Sequence, residues 1–233
     1  MAGERSQEKH SVGALYVVGL PIGNPDDVTL RALRVLRTVD IVASKDPHHT
    51  LRFLSRHRIG ALLTTYDRRN AREKTPILLH RLRSGSKVAL ISDCGTPGLY
   101  DPGSLLVAHA HRAAIRVVSV PGPSALAATL AIAGMPGDVF SFYGRFPASE
   151  ARAMSLLTEL KVRRCTSIFF VRPEQLRRIL RLIEQGLGNK QVCLAVNLTH
   201  PGEQILRGKL TRLLRNYPLR FPGAGVTVVV AGR

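Results

Sequence analysis

The stretch that decides the fold is Val88-Ala89-Leu90-Ile91-Ser92-Asp93-Cys94-Gly95-Thr96-Pro97-Gly98-Leu99-Tyr100-Asp101-Pro102-Gly103. Its first four residues are all apolar, as in a strand that is buried on both faces of a parallel sheet. The remaining twelve hold two carboxylates, three glycines and two prolines, a composition typical of a loop with a fixed backbone. A helical pattern at 104–111 and a strand pattern at 116–120 follow, which predicts a β-loop-α-β unit.

Towards the N-terminus, short apolar and β-branched runs alternate with helical patterns in the same way. Strands are predicted at 15–18 and 41–43, and helices at 50–57, 70–82 and 124–134. Leu30, Leu33 and Leu36 mark a further helix, which we expect Asp26 or Asp27 to cap. This alternation predicts an α/β fold with a mostly parallel sheet.

A turn-rich stretch, Gly134-Met135-Pro136-Gly137, separates this half from the next. Beyond it the predicted strands are 139–142, 166–171, 192–196, 203–206 and 226–230, and the predicted helices are 149–160, 173–185 and 210–214. These runs also suit antiparallel pairing, so a mixed sheet is expected. We predict a disordered polar tail at 1–13, an N-terminal α/β domain at 14–134 and a C-terminal α/β domain at 138–233.

The composition points to a polyanionic partner. The 233 residues carry 34 Lys and Arg against 16 Asp and Glu, a formal net charge of +18. Nucleic acid is therefore the first candidate. The alternative is a GC-rich genome, which favours arginine codons. It would explain why 27 of the 34 basic residues are Arg and 7 are Lys, but not why acidic residues are few.

The cysteines and the apolar runs indicate in which cellular compartment the protein is expected. Three scattered cysteines without a C-x-x-C pattern indicate a reducing cytoplasm and argue against a thiolate zinc site. Residues 1–12 lack the apolar core of a signal peptide. The longest apolar run, 125–133, is too short to span a bilayer, so no membrane association is expected.

Three loops that follow predicted strands collect special residues, at 19–24, 92–103 and 120–125. Each alone would be an ordinary tight turn, but in an α/β sheet ligands bind at this carboxyl edge. Three such loops at one edge therefore predict a ligand site. The chain has no G-x-G-x-x-G after its first strand, no Walker A motif and no G-x-S-x-G, which argues against conventional dinucleotide, P-loop and hydrolase sites.

The motifs along the chain are Leu-Pro-Ile-Gly-Asn (20–24), Val-Thr-Leu-Arg-Ala-Leu (28–33), Asn-Ala-Arg-Glu-Lys (70–74), the 92–103 loop, Val-Pro-Gly-Pro-Ser-Ala-Leu (120–126) and Ile-Leu-Arg-Gly (205–208). In this order they closely resemble the small-subunit ribosomal RNA cytidine-2′-O-methyltransferase I family of the tetrapyrrole methylase superfamily. The resemblance spans about 15–230 and is strongest in the first half. It implies two α/β domains that hold S-adenosylmethionine in the cleft between them, in a homodimer that acts in rRNA processing.

The resemblance also implies, position by position, which residues contact the cofactor. They come from the three loops and from strands of the C-terminal domain. The implied cofactor-binding residues are Leu20, Pro21, Asp93, Gly95, Thr96, Pro97, Ser124, Ala125, Tyr143, Val171 and Ala195.

The sequence departs from the family pattern at charged positions. Acids typical of the family are replaced at Lys45, Val171 and Asn197, and bases at His48, Gln175 and Val196. Because opposite charges are lost together, we expect that one polar network was removed as a unit. The sequence leaves open whether this changes or abolishes activity.

Among these positions Lys45 is the candidate for a catalytic role. A lysine there could orient a ribose hydroxyl or lower its pKa, as a desolvated amine can act in acid–base chemistry. The favoured alternative is a phosphate-binding or simply solvated lysine. Asp46, His48 and His49 lack the spacing of a ligand set, so no metal is predicted.

The predicted RNA-binding residues lie on a loop that leads into a helix, and they are Arg68, Arg69, Arg72 and Lys74. The chain holds five Tyr, seven Phe and no Trp, so phosphate contact is expected rather than base stacking. The sequence thus predicts an S-adenosylmethionine-dependent methyltransferase, acting on a ribose 2′-hydroxyl of small-subunit ribosomal RNA or on the ribosomal subunit. Two alternatives stay open: a tetrapyrrole methyltransferase, and a non-catalytic RNA- or ribosome-associated protein that retains the fold.

Overall fold

The computed structural model describes residues 13–232. Contacts between Cα atoms group the chain into two compact units. Of the described residues, the first unit comprises those up to Pro21 together with Asp27–Gly122, and the second comprises Ile22–Asp26 and those from Pro123 onwards. The polar tail predicted at 1–13 lies, apart from Gly13, outside the described residues.

In the part of the first unit that the structure describes, five strands alternate with four helices. The strands are β1 Ala14–Val18, β2 Ile41–Ser44, β3 Leu62–Thr65, β4 Val88–Ile91 and β5 Arg116–Val120, and the helices are α1 Leu30–Leu36, α2 Pro47–Arg56, α3 Ala71–Arg83 and α4 Gly103–Arg112. All strand pairs are parallel, in the order β3-β2-β4-β1-β5. This confirms the parallel sheet that the alternation predicts.

Helices cover both faces of this sheet. Successive residues of a strand point to opposite faces, so β4 sends Val88 and Leu90 into one core and Ala89 and Ile91 into another. The first of these cores is shared with α3 and α4, and the second with α1 and α2. β4 is apolar at every position because water reaches neither of its faces.

Two local features differ from the sequence prediction. α1 is capped by Thr29, whose Oγ1 accepts the amide of Ala32 at 3.1 Å, and not by Asp26 or Asp27. These aspartates lie in a short 3-10 turn, Pro25–Asp27, so the helix begins later than expected. The sequence also gave no sign of β3, because this edge strand leaves Leu62 and Thr65 exposed and therefore has no buried apolar pattern.

The second unit contains five further strands and four helices among its described residues. The strands are β6 Phe140–Arg145, β7 Thr166–Val171, β8 Gln191–Val196, β9 Gln204–Lys209 and β10 Val226–Val230, and the helices are α5 Ala125–Ala133, α6 Glu150–Arg163, α7 Leu176–Leu187 and α8 Leu210–Asn216. The sheet order is β6-β7-β10-β8-β9. Only β6 and β7 pair in parallel, and the other pairs are antiparallel, which confirms the predicted mixed sheet.

This sheet too has helices on both faces. Val192 and Leu194 of β8 enter a large core with α6, α7 and α8, whereas Cys193 packs in a smaller cluster with Ala133 of α5. The position of α5 differs from the sequence interpretation, which placed it in the N-terminal domain. It belongs to the second unit because its apolar side chains pack on β10 and its neighbours. By these contacts the break between the units lies between Gly122 and Pro123, ahead of the turn at 134–138 where the sequence interpretation placed the domain boundary.

Candidate functional site

The loops that carry the predicted site begin at two neighbouring strands from which the chain continues in opposite directions along the first sheet. β1 and β4 are neighbours, but β1 continues through α1 to β2 on one side, and β4 continues through α4 to β5 on the other. α1 and α4 cover opposite faces of the sheet. Such a topological switch opens a crevice at the carboxyl ends of the two strands, which is the usual ligand position in α/β sheets.

The backbones of the two loops are joined directly at this point. The amide of Leu20 donates to the Gly95 carbonyl at 3.0 Å, and the Gly95 amide donates to the Leu20 carbonyl at 3.1 Å. Gly95 has a φ of +75°, a conformation that strongly favours glycine. Because its own amide and carbonyl are both used by Leu20, Gly95 fixes the shape of the loop.

The loop after β5 is held against the loop after β1 by a contact between two glycines. The Gly19 amide donates to the Val120 carbonyl at 3.0 Å. A Cβ atom placed on Gly122 would lie 2.6 Å from the Gly19 carbonyl oxygen, closer than van der Waals contact allows. Glycine is therefore required here by the close approach of two backbones.

The 92–103 loop is stabilised by its own polar side chains. Ser92 donates to the carbonyls of Cys94 and Gly95, at 2.9 and 3.1 Å. Asp101 accepts the Gly103 amide at 2.9 Å and so caps the start of α4. Burial raises the pKa of the Asp101 carboxyl, against the opposing effect of its bonds to the amides of Gly103 and Gly98.

An ion pair joins the ends of β2 and β4. Lys45 Nζ lies 2.6 Å from Asp93 Oδ2, and the Asp46 amide donates to Asp93 Oδ1 at 3.2 Å. The side chain of Lys45 is 59% exposed and that of Asp93 is 30% exposed. The hydrogen bond to Asp93 raises the pKa of the Lys45 ammonium, so the lysine is held in its charged form. It is therefore not the desolvated amine that the sequence interpretation considered.

The first turn of α2 follows directly. Asp46 is its N-cap and accepts the amides of His48 and His49, at 2.9 and 3.1 Å. These bonds lower the pKa of the Asp46 carboxyl, with the bond from His49 the larger cause. Among residues 13–232, no group of three or more His, Cys, Asp or Glu is placed to hold a metal ion.

The predicted RNA-binding residues separate into two kinds. Arg68 lies 4.8 Å above the ring of Tyr100 and donates to the Tyr100 carbonyl at 3.3 Å, so it is attached to the 92–103 loop. Arg69 and Arg72 are exposed, and Lys74 is half-buried on α3. Arg68 thus has a structural partner that the sequence did not indicate.

The candidate residues of the second unit lie at the edges of its elements or within its strands. Ser124 is the N-cap of α5 and Ala125 is the first residue of that helix. Tyr143 in β6 stacks on Phe169, with ring centroids 5.5 Å apart, and its hydroxyl is buried without a hydrogen-bond partner among the described residues. Val171 and Ala195, in β7 and β8, have buried side chains.

The positions of the second unit at which the resemblance implies other charged residues have different surroundings from Lys45. Val171 and Val196 are 6% and 1% exposed and belong to the large core. Asn197 accepts the Gly225 amide at 3.2 Å through its side chain, and its φ of +51° suits an asparagine. Gln175 lies at the start of α7.

Sequence reasoning missed one contact that fixes the 20–24 motif. The Asn24 amide donates to Thr199 Oγ1 at 2.8 Å, and the Thr199 amide donates to Glu203 at 2.6 Å. A Cβ atom on Gly23 would lie 2.5 Å from the Leu198 carbonyl oxygen. The sequence carried no signal for this contact, because its partners are 175 residues apart.

Comparison with known proteins first defines the class. The family of Tetrapyrrole (Corrin/Porphyrin) Methylases matches residues 14–214. The fold is shared with a cobalt precorrin-4 methyltransferase (TM-score 0.66, 21% identity, 94% of each chain covered). It is also shared with a diphthine synthase (TM-score 0.72, 16% identity, covering 94% of this chain and 90% of the other). The chain is therefore a tetrapyrrole methylase by fold and by family. Its parallel first sheet, the loops at the switch point and its mixed second sheet are the features that define this class here.

Curated relatives narrow this class. The ribosomal RNA small subunit methyltransferase I of Thermotoga maritima is 37% identical over 222 residues, covering 95% of this chain and 100% of the relative. That of Micromonospora olivasterospora is 41% identical over 231 residues, covering 99% and 74%. The chain belongs to the ribosomal RNA small subunit methyltransferase I family and is a methyltransferase, which confirms the resemblance drawn from its motifs.

Proposed function

We propose that this chain transfers a methyl group from S-adenosylmethionine to the 2′-hydroxyl of a cytidine ribose in small-subunit ribosomal RNA. The observation that carries the proposal is the identity of 37–41% to relatives of that name over at least 95% of the chain. The net charge of +18 supports a polyanionic substrate.

The residues of the predicted site fit such a cofactor. Asp93 has a partly exposed carboxylate that can accept further hydrogen bonds, for example from ribose hydroxyls of the adenosine part. The buried Tyr143 hydroxyl lacks a partner among the described residues, and a bound polar group would supply one. We propose that Leu20, Pro21, Gly95, Thr96 and Pro97 contact the cofactor in the first unit, as do Ser124, Ala125, Val171 and Ala195 in the second.

When bound, S-adenosylmethionine supplies an electrophilic sulfonium methyl group for in-line attack by the ribose oxygen. Lys45 is charged already and cannot accept the proton that the ribose hydroxyl loses. Its ammonium can donate to a hydroxyl or a phosphate oxygen, which is a positioning role. The proton therefore goes to an acceptor other than Lys45.

The decisive experiment uses small ribosomal subunits from a bacterial strain that lacks this methylation. We expect the purified chain to incorporate about one methyl group per particle, and nucleoside mass spectrometry to identify it as 2′-O-methylcytidine. Asp93→Asn should weaken cofactor binding in calorimetry. A chain that binds cofactor but transfers no methyl group to these particles, or that methylates a base, would overturn the proposal.

We propose that Arg69 and Arg72 contact RNA phosphates. Neutralising both to alanine should reduce the log–log salt slope of RNA binding by about 1.4, because each phosphate contact on single-stranded RNA contributes about 0.7. The matched control is Arg81→Ala with Arg83→Ala, which removes the same charge from exposed positions at the other end of α3. Equal slopes in the two double variants would contradict the assignment.

We further propose that the chain works in the cytoplasm, where ribosomes are assembled, and as a homodimer. The second unit exposes the apolar side chains of Ile132, Val139 and Phe140, which favours burial against another surface. Light scattering at micromolar concentration should give twice the mass of one chain. A single-chain mass would contradict the dimer.

A further inference from the structure

A cavity of about 330 Å³ lies in the second unit. Leu160, Leu187 and Val230 form part of its apolar lining. Three basic side chains, those of Lys161, Arg164 and Lys190, also line it. Its volume is at the lower end of the range for small-ligand sites.

The register of the second sheet separates this cavity from the proposed cofactor residues of the same unit. Val230 pairs with Ser167 and Val192 at one end of the strands, whereas Val226 pairs with Val171 and Val196 at the other. Four residues of strand span about 13 Å. The cavity is therefore a separate site at the opposite edge of the sheet.

The electrostatics of the cavity favour an anion. Among the described residues, none that lines it is acidic. The C-termini of α6 and α7 meet there, and each contributes about −0.5 of a charge. Three cations outweigh these two helix ends by about two charges. The Lys190 ammonium donates one N–H to the Gly232 carbonyl, at 3.1 Å, and it has two more N–H groups to donate.

The backbone at Arg164 carries an independent sign of constraint. Arg164 ends α6 in the left-handed region, with a φ of +51°, where glycine is the usual residue. A Cβ atom on Gly232 would collide with the Arg164 carbonyl, so the two segments are pressed together. The fold thus holds an arginine at a position whose backbone prefers glycine, with the Arg164 carbonyl packed against Gly232.

We propose that this cavity is a second binding site, which takes a phosphate group together with the sugar that carries it and the base on that sugar, as in one nucleotide of an RNA strand. The cations would hold the phosphate, and the apolar lining would receive the attached ring. The choice of RNA as the source rests on the proposed function, but binding of a phosphate group at the cavity does not.

Cys165 is a natural reporter of this site because it lines the cavity and is half-buried. We would measure its alkylation by peptide mass spectrometry, with inorganic phosphate, cytidine monophosphate or a single-stranded RNA oligonucleotide as probe. Cys94 in the 92–103 loop is exposed and serves as the reference for the other site. We expect the nucleotide and the RNA to slow alkylation of Cys165 at least fivefold, and S-adenosylmethionine to leave it unchanged.

Two variants and a control make the test specific. Lys161→Ala and Arg164→Gly should each weaken protection by the nucleotide about tenfold, as expected for the loss of a charged hydrogen bond. Arg164→Gly should leave the melting temperature unchanged or raise it, because glycine suits the backbone there. The control is Arg163→Ala, which removes the same charge from the neighbouring residue. Arg163 pairs with Glu159 at 2.7 Å, so this variant should not alter the protection of Cys165 by the nucleotide.

The outcomes separate this proposal from the previous one. Protection by the nucleotide and by RNA, lost in the two variants alone, would support the site whether or not the chain methylates ribosomal RNA. Protection by phosphate or the nucleotide but not by RNA would overturn the RNA assignment. No protection by any probe, or equal effects of Arg163→Ala, would overturn the site itself.

Discussion

Two regions differ in how they accommodate a change of charged residues. One is the carboxyl edge of the first sheet, and the other is the ends of β7 and β8 in the second unit. At the first, Lys45 stands where the resemblance implies an acid, and it forms a 2.6 Å ion pair with Asp93. At the second, Val171 and Val196 stand where the resemblance implies charges, and both are buried in the core. An exposed position accepts a reversed charge, whereas an unpaired charge at a buried position loses its hydration.

The altered positions of the two units lie in different surroundings, because Lys45 is exposed whereas Val171 and Val196 are buried. The sequence suggested a set of charges lost as a unit, which could be restored together. In the structure, an isolated charge in the second core would lose several kcal/mol of hydration. The Lys45 pair, by contrast, stays in contact with water and is worth little to stability.

The largest effect is expected from restoring charges in the second unit. Val171→Glu with Val196→Arg should destabilise the chain by at least 3 kcal/mol. Val171 and Val196 both pair with Val226, so their Cα atoms lie two strands apart, about 10 Å. A Glu and an Arg at these positions would face each other across the buried Val226, where both charges lose their hydration. Urea unfolding measures the loss, with Val196→Ile as the apolar control. A doubly charged variant as stable as wild type would show that these positions can reach water.

A smaller effect is expected from the glycine contact of the first unit. Gly122→Ala should cost about 1–3 kcal/mol, because the new methyl group meets the Gly19 backbone. It should also weaken cofactor binding, by displacing the loop after β1. Gly60→Ala is the matched control, since a Cβ atom there meets nothing within 4 Å. If both alanine variants bind cofactor alike, the glycine contact does not shape the site.

The smallest effect is expected from Lys45→Met. Its pair with Asp93 is largely exposed, so the loss should be below about 1 kcal/mol. A raised pKa in the folded state means that the pair contributes stability below the ordinary lysine value of 10.5, and that this contribution is lost as the pH rises through the folded value. The wild-type advantage should thus be constant from pH 6 to about 9 and vanish well above 10.5.

Unfolding at several pH values checks this, with Lys87→Met as control. Lys87 is exposed on the same unit and takes part in none of the three ion pairs of the described residues. An advantage of several kcal/mol over Lys45→Met would show that the pair is shielded from water after all.

The sequence by itself determined the sheet class and the loops of the first unit. β4 and β5 were predicted with their observed bounds, because continuous apolar or β-branched runs flanked by turn residues have few other uses. The 92–103 loop was recognisable from its glycines, prolines and carboxylates. Local composition is sufficient for such features, since the residues that shape them are neighbours in the chain.

Only the tertiary structure decided the partners of the site residues. Lys45 meets Asp93 across 48 positions, and Arg68 meets the Tyr100 carbonyl across 32. The same holds for the place of α5, whose apolar residues reveal that it is buried but not against which sheet. Pairings between distant residues depend on strand order and on which face each helix covers. These follow from the packing of the whole unit, and no local pattern records them.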